Sequence, residues 1–304
     1  MAMLHRVLHI LAVPYASAAS NSTVTIAEGV EMPLVSFGFG SQSALKYGGR
    51  ALDTAWCYGD VDQFATGKAV RTSNISRAEL FVTTKVPCCP SPFAAANGLC
   101  SNSSWDASHV DDQIQHDFDV LGLDYVDLLL MHWSCTTIEQ TLAVYRRLEL
   151  MVKKGKARAI GVSNFNSTEL QALSERATIR PAVNQVGFSV GGHDLKETSF
   201  GRDDVSFAKA KELGITYMAY SPLGGVTKID VLHHPVVQEI AVVHQRSAAQ
   251  IALRWLIQRG IAVVTSSNIS SHILSDLDTL AFSLTDEEME RLSSVRGMTT
   301  SIII

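Results

Sequence analysis

The stretch "VDLLLMH", residues 126–132, decides the fold. From Val126 to Met131 only Asp127 is polar. A strand with one wet face alternates apolar and polar side chains. This one does not, so it suits a strand covered on both faces, as in a parallel sheet. Runs of the same kind lie on either side. Upstream they are "LVSFG" (34–38), "ALDT" (51–54) and "LFVTT" (80–84). Downstream they are "ARAIGV" (157–162), "AVNQV" (182–186), "ITYMA" (215–219) and "IAVV" (261–264).

Amphipathic segments separate these runs. From Thr137 to Lys153, Ile138, Leu142, Tyr145, Leu148 and Val152 recur at helical spacing. Thr137-x-x-Gln140 has the form of a capping box, and Gly155 supplies the stop. Ser247 to Arg259 repeats the plan, with Ser247-x-x-Gln250 at its start and Gly260 after its end. Eight strands with interleaved helices predict a (β/α)8 barrel, an α/β TIM barrel. "TVTIAEGVEMPL" (23–34) predicts an N-terminal β-hairpin turning near Glu28-Gly29. The expected organisation is an extension over 1–20 and one barrel over 21–304.

One connection is short. Between Gly38 and Ala51 lies only "FGSQSALKYGGR". A parallel crossover needs a dozen or more residues, usually with a helix. Either the first barrel helix is nearly absent, or a piece has been lost.

The composition is that of a core-forming globular chain, with 46% apolar and 18% charged residues. A net charge of −5 argues against nucleic acid, whose partners are normally basic. No later stretch is long enough to span a membrane. The cysteines are Cys57, Cys88, Cys89, Cys100 and Cys135. An odd count in a large chain speaks against a disulfide framework. "PCC" (87–89) lacks a second pair and a spaced histidine, so it reads as a thiol-rich loop and no metal is expected. "MAMLHRVLHILAVPYASAAS" (1–20) has a signal-like pattern. Five of the eight asparagines, Asn21, Asn74, Asn102, Asn166 and Asn268, lie in glycosylation sequons.

In such a barrel the chemistry gathers at the C-terminal ends of the strands. Asp53 ends the second strand and Tyr58 follows it. Lys85 ends the third, His132 the fourth. Ser163-Asn164 follow the fifth, Gln185 lies in the sixth, and Tyr220-Ser221 follow the seventh. Each alone reads as a cap or a satisfied side chain; together they form a coherent set. A phenol is a reluctant acid at neutral pH. A nearby ammonium lowers its pKa, and a buried ammonium needs a carboxylate. Tyr58 is therefore the candidate general acid, Lys85 its tuner and Asp53 the lysine's partner. A neutral His132 can orient a carbonyl. The set suits protonating an oxygen that gains charge as hydride adds to a carbonyl.

"ALDTAWCYGD", "LFVTTKV", "LGLDYVDLLLMHW", "GKARAIGVSNF", "PAVNQV" and "AYSPLG" resemble the aldo-keto reductase family, in order and spacing, from about Thr23 to Val295. The resemblance implies an NAD(P)H-dependent oxidoreductase acting on aldehydes and ketones, with Asp53, Tyr58, Lys85 and His132 as its tetrad. It implies that Ser163, Asn164 and Gln185 hold the carboxamide of a nicotinamide, that Tyr220 stacks on the ring, and that Ser221, Leu223 and Gly224 line the pyrophosphate. Trp133 and Trp56 would wall the substrate pocket, with core packing as the other reading of both.

The sequence departs from the family in places. Ser266 stands where a lysine is usual and His272 where an arginine is usual, both toward a 2′-phosphate; Asp276 replaces a common asparagine. That weakens the case for NADPH. Ser266, Ser267 and Asn268 are expected to open a helix, whose N-terminus still suits a phosphate. NADPH is expected, with NADH as the alternative. A short ending and a short loop after His132 imply an open site for small or medium carbonyl compounds. Glycans at Asn166 or Asn268 would obstruct the nucleotide, and a cofactor kept reduced by metabolism favours the cytosol, so a cytoplasmic location is expected, with the secretory pathway as the alternative; a monomer is what the resemblance implies.

Other classes fit less well. "GFGSQS" lacks the third glycine of a dinucleotide fingerprint. No tyrosine has a lysine four residues on, and no H-E-x-x-H occurs. A non-catalytic, regulatory nicotinamide-binding barrel is the rival of a different kind.

Overall fold

A computed structural model describes residues 22–38, 41–89, 108–193, 196, 198–227 and 229–296. The signal-like segment, Asn21, Cys100, Asn102 and the last eight residues lie outside them.

Strands β1 (Thr23–Ala27) and β2 (Val30–Pro33) form the expected hairpin, with Gly29 at φ +68° in its turn. Eight parallel strands then close a barrel. They are β3 (Val35–Phe37), β4 (Ala51–Asp53), β5 (Phe81–Val86), β6 (Val126–Met131), β7 (Ala157–Ser163), β8 (Val183–Gly187), β9 (Thr216–Tyr220) and β10 (Ala262–Thr265). β10 returns to β3 through Val263↔Val35 and its two neighbours. All eight runs read from the sequence are strands of this barrel.

The helices follow in order: α1 (Ser41–Lys46), α2 (Asp60–Thr72), α3 (Ser108–Leu121), α4 (Ile138–Lys153), α5 (Ser167–Arg176), α6 (Asp204–Glu212), α7 (Pro235–His244), α8 (Ala248–Gln258), α9 (Ser270–Leu277) and α10 (Asp286–Ser293). Both expected capping boxes form, Thr137 with Gln140 and Ser247 with Gln250. Gly155 and Gly260 sit at φ +68° and +79° beyond the helices they stop, where a side chain would be strained.

Strand pleating explains the site. Side chains two apart share a face. Ala51, Phe81, Leu128, Leu130, Ala159, Val183, Met218, Ala262 and Val264 form one buried cluster with Val30 and Met32 of the hairpin, which plugs that end of the barrel. Their neighbours Leu52, Val82, Leu129 and Ile160 belong to the larger cluster that packs under the helices. Continuing the inward series by one pleat reaches Asp53, His132, Gln185 and Tyr220, and by two pleats Lys85 and Ser163. One inward position must be glycine: a Cβ on Gly161 would lie 2.5 Å from the Val183 carbonyl oxygen.

The short first crossover resolves in favour of a stunted helix. α1 has six residues, yet the barrel stays closed. β3 and β4 share a single register pair, Phe37↔Leu52, where β5 and β6 share four. A polar cavity of ≈ 620 Å³, lined in part by Gln42, Ser43, Asp62, Thr66 and Lys68, opens on that flank and reaches Asp53 and Tyr58.

The cysteine expectation is overturned. Cys88 and Cys135 are disulfide-bonded, with Cα atoms 5.4 Å apart, and Cys89 is disulfide-bonded as well. The count is odd because Cys57, the free thiol, has a place of its own beside His132. The Cys88–Cys135 bridge ties the exit of β5 to the exit of β6.

Candidate active site

Lys85 is fully buried, and its carboxylate partner Asp53 is buried beside it. Its Nζ donates to Asp53 Oδ1 at 2.5 Å and to the Thr54 carbonyl at 2.9 Å. Burial pulls the ammonium's pKa down, but Asp53 and Tyr58 outweigh it and the net shift is upward. Lys85 therefore stays charged. Asp53 is fixed from the far side by Gln185 Nε2, 2.7 Å from Oδ2.

Tyr58 ends a 3₁₀ turn, Trp56–Tyr58, just beyond β4. The Lys85 Nζ lies 5.2 Å from its ring centroid and hydrogen-bonds the phenol. The tuning differs from the simple expectation. Lys85 is the largest influence and lowers the phenol's pKa, but burial, Asp53 and Cys57 together leave it raised. The physical reason is that burial of the phenol, and after it the Asp53 charge, offsets the field of Lys85.

His132 follows β6. Burial, then the Lys85 charge, holds its pKa well below the ordinary value, so the ring is neutral. Its Nδ1 lies 3.3 Å from Cys57 Sγ. Burial pushes the Cys57 thiol up to about 11, so it is protonated and can donate. A thiol donating to Nδ1 leaves the imidazole proton on Nε2. His132 stacks on Trp133 at 4.4 Å, and Trp133 Nε1 donates to the Cys88 carbonyl at 3.1 Å. The disulfide thus sits directly behind the wall of the pocket.

A second layer of polar groups adjoins the tetrad. Asn164, at φ +61°, donates to the His132 carbonyl and to Ser163 Oγ, both at 3.1 Å. Its Oδ1 accepts from the Tyr220 hydroxyl at 2.7 Å. Ser163 Oγ donates to the Gln185 carbonyl at 2.7 Å. Ser221, at φ +49°, opens a turn closed by Gly224 N–H on the Ser221 carbonyl at 3.0 Å. Gly224 cannot carry a side chain: a Cβ would stand 2.0 Å from the Ile229 oxygen. Leu223 packs, partly buried, on the core.

Tyr58, His132, Trp133, Asn164, Gln185, Phe200, Arg202 and Tyr220 enclose a cavity of ≈ 120 Å³. Trp56 is not among them; it packs partly buried against the core. Phe200 and Arg202 were not expected. They lie on the connection from β8 to α6, which no helical or strand period marks.

The expected phosphate region starts later than read. α9 begins at Ser270 with Ile269 as its N-cap, whose hydrocarbon side chain cannot accept from the helix; Ser267 Oγ accepts the Ile269 N–H at 3.0 Å. Ser267 Oγ also lies 3.4 Å from His272 Nδ1, Ser266 is exposed, and Asn268 borders the flank cavity. Asp276 turns inward and accepts from Thr265 Oγ1 at 2.9 Å; burial raises its pKa to about 6.

A nicotinamide carboxamide presents one acceptor and two donors. The amides of Asn164 and Gln185 and the hydroxyl of Ser163, paired here with one another and with their neighbours, are groups of the matching kinds beside an aromatic face, so their chemistry fits that group.

The Aldo/keto reductase family model matches residues 41–296. The chain belongs to this family. An aldo-keto reductase of Mycolicibacterium smegmatis is 33% identical over 92% of this chain and 93% of its own. Morphine 6-dehydrogenase of Pseudomonas putida is 31% identical over 91% and 92%. An aldo-keto reductase from a Medee basin deep-sea metagenome library superposes with a TM-score of 0.76, at 32% identity over 90% of this chain and 94% of that one. This aldo-keto reductase is an oxidoreductase of carbonyl compounds with the family's TIM-barrel fold. Among its described residues no helix is long and apolar enough to cross a membrane.

Proposed function

We propose that this aldo-keto reductase reduces aldehydes and ketones to alcohols with NADPH, and with NADH as the second choice. The observation that carries the reading is the buried Lys85–Asp53 ion pair beneath Tyr58, with a neutral His132 in the same cavity. Ser163, Asn164 and Gln185 would hold a nicotinamide against Tyr220, and that group would supply the hydride when bound. Ser221, Leu223 and Gly224 would border its pyrophosphate, and Ser266, Ser267, Asn268 and His272 would face the far end of the nucleotide.

The chain's own residues do the rest. His132 donates from Nε2 to the substrate oxygen and orients the carbonyl. Tyr58 gives its proton to that oxygen as negative charge develops there. Lys85 steadies the phenolate left behind, and Asp53 keeps Lys85 charged and in place. Trp133 and Phe200 wall off the carbonyl. The raised phenol pKa suits an acid that must remain protonated until the oxygen becomes basic.

The test is oxidation of NADPH and of NADH with an aromatic aldehyde, wild type beside Tyr58→Phe. We expect turnover in the wild type and a fall of about a thousandfold in the variant, within the worth of a positioned acid. A folded wild type that turns over neither cofactor would refute the reading.

The Cys88–Cys135 bridge favours an oxidising compartment over the expected cytoplasm, because cytosolic thiols are kept reduced.

A further inference from the structure

The connection from β8 to α6 runs from Phe188 to Asp203. Crossings of this kind usually take two to six residues, and long ones are commonly functional. This one is pinned. The Thr198 N–H and hydroxyl donate to Asp203 Oδ2 at 2.7 and 2.9 Å, and Asp203 Oδ1 accepts the Ser206 N–H at 2.6 Å. Tyr217 donates its hydroxyl to the Gly201 carbonyl. Gly201 sits at φ +65° against the Phe165 carbonyl, where a Cβ would come within 2.0 Å. Arg202, the next residue, is held by its N–H on Thr198 Oγ1 at 2.9 Å.

The Arg202 side chain enters the cavity that holds Tyr58 and His132. Nη2 donates to the Tyr220 hydroxyl at 2.8 Å, and the guanidinium lies 5.1 Å from the Phe200 ring centre. Among the described residues no carboxylate pairs with it, whereas Arg259, on the other side of the same connection, is paired with Asp204 at 2.7 Å. Arg202 Nε is buried with no hydrogen-bond partner. Around it Lys85 is cancelled by Asp53 and His132 is neutral. Among the described residues that line the cavity, Arg202 is therefore the one uncompensated positive charge. A partly desolvated guanidinium is poorly satisfied without an anion, and its planar fork matches a carboxylate.

We propose that Arg202 selects carbonyl substrates that carry a carboxylate, the anion docking on its guanidinium while His132 and Tyr58 engage the carbonyl. This rests on the reductase reading above. Trp133 and Phe200 flank the same space, so a flat skeleton between carbonyl and carboxylate suits it.

The experiment compares 4-carboxybenzaldehyde with its neutral methyl ester, as the ratio of their kcat/KM values, in wild type, Arg202→Gln and Arg202→Lys. NADPH affinity is followed by tryptophan quenching. The wild type should prefer the acid. Arg202→Gln should lower the acid-to-ester ratio by about 10- to 100-fold, the worth of a charge-assisted hydrogen bond, mainly through KM. Arg202→Lys, which keeps the charge, should retain a large part of the ratio. No preference in the wild type, or an equal loss on acid and ester in both variants, would overturn the proposal and leave Arg202 a packing residue. An unchanged ratio with weakened NADPH binding would overturn it too, assigning the guanidinium to a cofactor phosphate. Absence of turnover with the neutral ester and the acid alike would instead bring down the reductase reading beneath it.

Discussion

Asp117 offers a test of how this barrel stores a carboxyl group without a counter-ion. It faces β5 from α3, fully buried. Oδ2 accepts the Thr84 hydroxyl at 2.7 Å, and Oδ1 has no partner. Burial raises its pKa to about 7 from 3.8, with Thr84 only partly opposing the shift. The folded state therefore holds a proton that the unfolded chain would release above its ordinary carboxyl pKa. Its contribution to stability is fully present below that value, falls as pH rises toward 7, and is gone above it. The linkage amounts to about 4 kcal/mol over the whole range, and about 3 kcal/mol between roughly pH 5 and pH 8. Asp117→Asn removes the titration and keeps the shape. Urea unfolding of both proteins should show the wild type losing stability relative to the variant by that amount as pH rises. Any fixed cost of the amide cancels in the difference between pH values. Parallel stability curves across this range would refute the reasoning and mean that Asp117 ionises freely in the folded protein.

Other expectations bear on the site. Cys57→Val removes the donor on His132 Nδ1 and should lower kcat/KM by about tenfold, the worth of roughly one hydrogen bond, while Cys57→Ser retains most of it; initial rates decide this. The Cys88–Cys135 bridge closes a loop of 47 residues, which corresponds to about 4 kcal/mol of chain entropy in the unfolded state. Replacing both cysteines with alanine should lower Tm by about 6 °C in a chain of this size, read by calorimetry. An unchanged Tm would mean that the bridge adds nothing to the packing around Trp133.

Much of the barrel was legible because its signals are local. "VDLLLMH" and its seven counterparts lack alternation, and Thr137, Ser247, Gly155 and Gly260 punctuate the helices by their own chemistry. The meeting of Asp53, Tyr58, Lys85 and His132 was legible because strand ends converge at one mouth of the barrel and the four residue types make chemical sense only together. What stayed hidden depends on distant packing. The Cys88–Cys135 pairing is invisible to a count, although both cysteines stand three residues beyond a tetrad member on adjacent strands. That equal offset was the available signal. The net direction of the Tyr58 shift depends on how far burial, and then Asp53, offsets Lys85, which no spacing reports. Arg202 belongs to a connection without period, and only the length from β8 to α6 hinted at it. Asp117 reads as an ordinary helix acid until its face meets Thr84.

The pairing of β10 with β3 has a consequence for synthesis. Val35 and Val263 are about 230 positions apart. At ordinary translation speeds the first barrel strand leaves the ribosome roughly 10 to 50 s before its last neighbour exists. During that interval one side of β3 has no partner, and an open strand edge invites pairing with other chains. A message cut short before β10 would thus yield an aggregating sheet rather than a smaller folded enzyme. In a ring of strands, the last one made completes the shelter of the first.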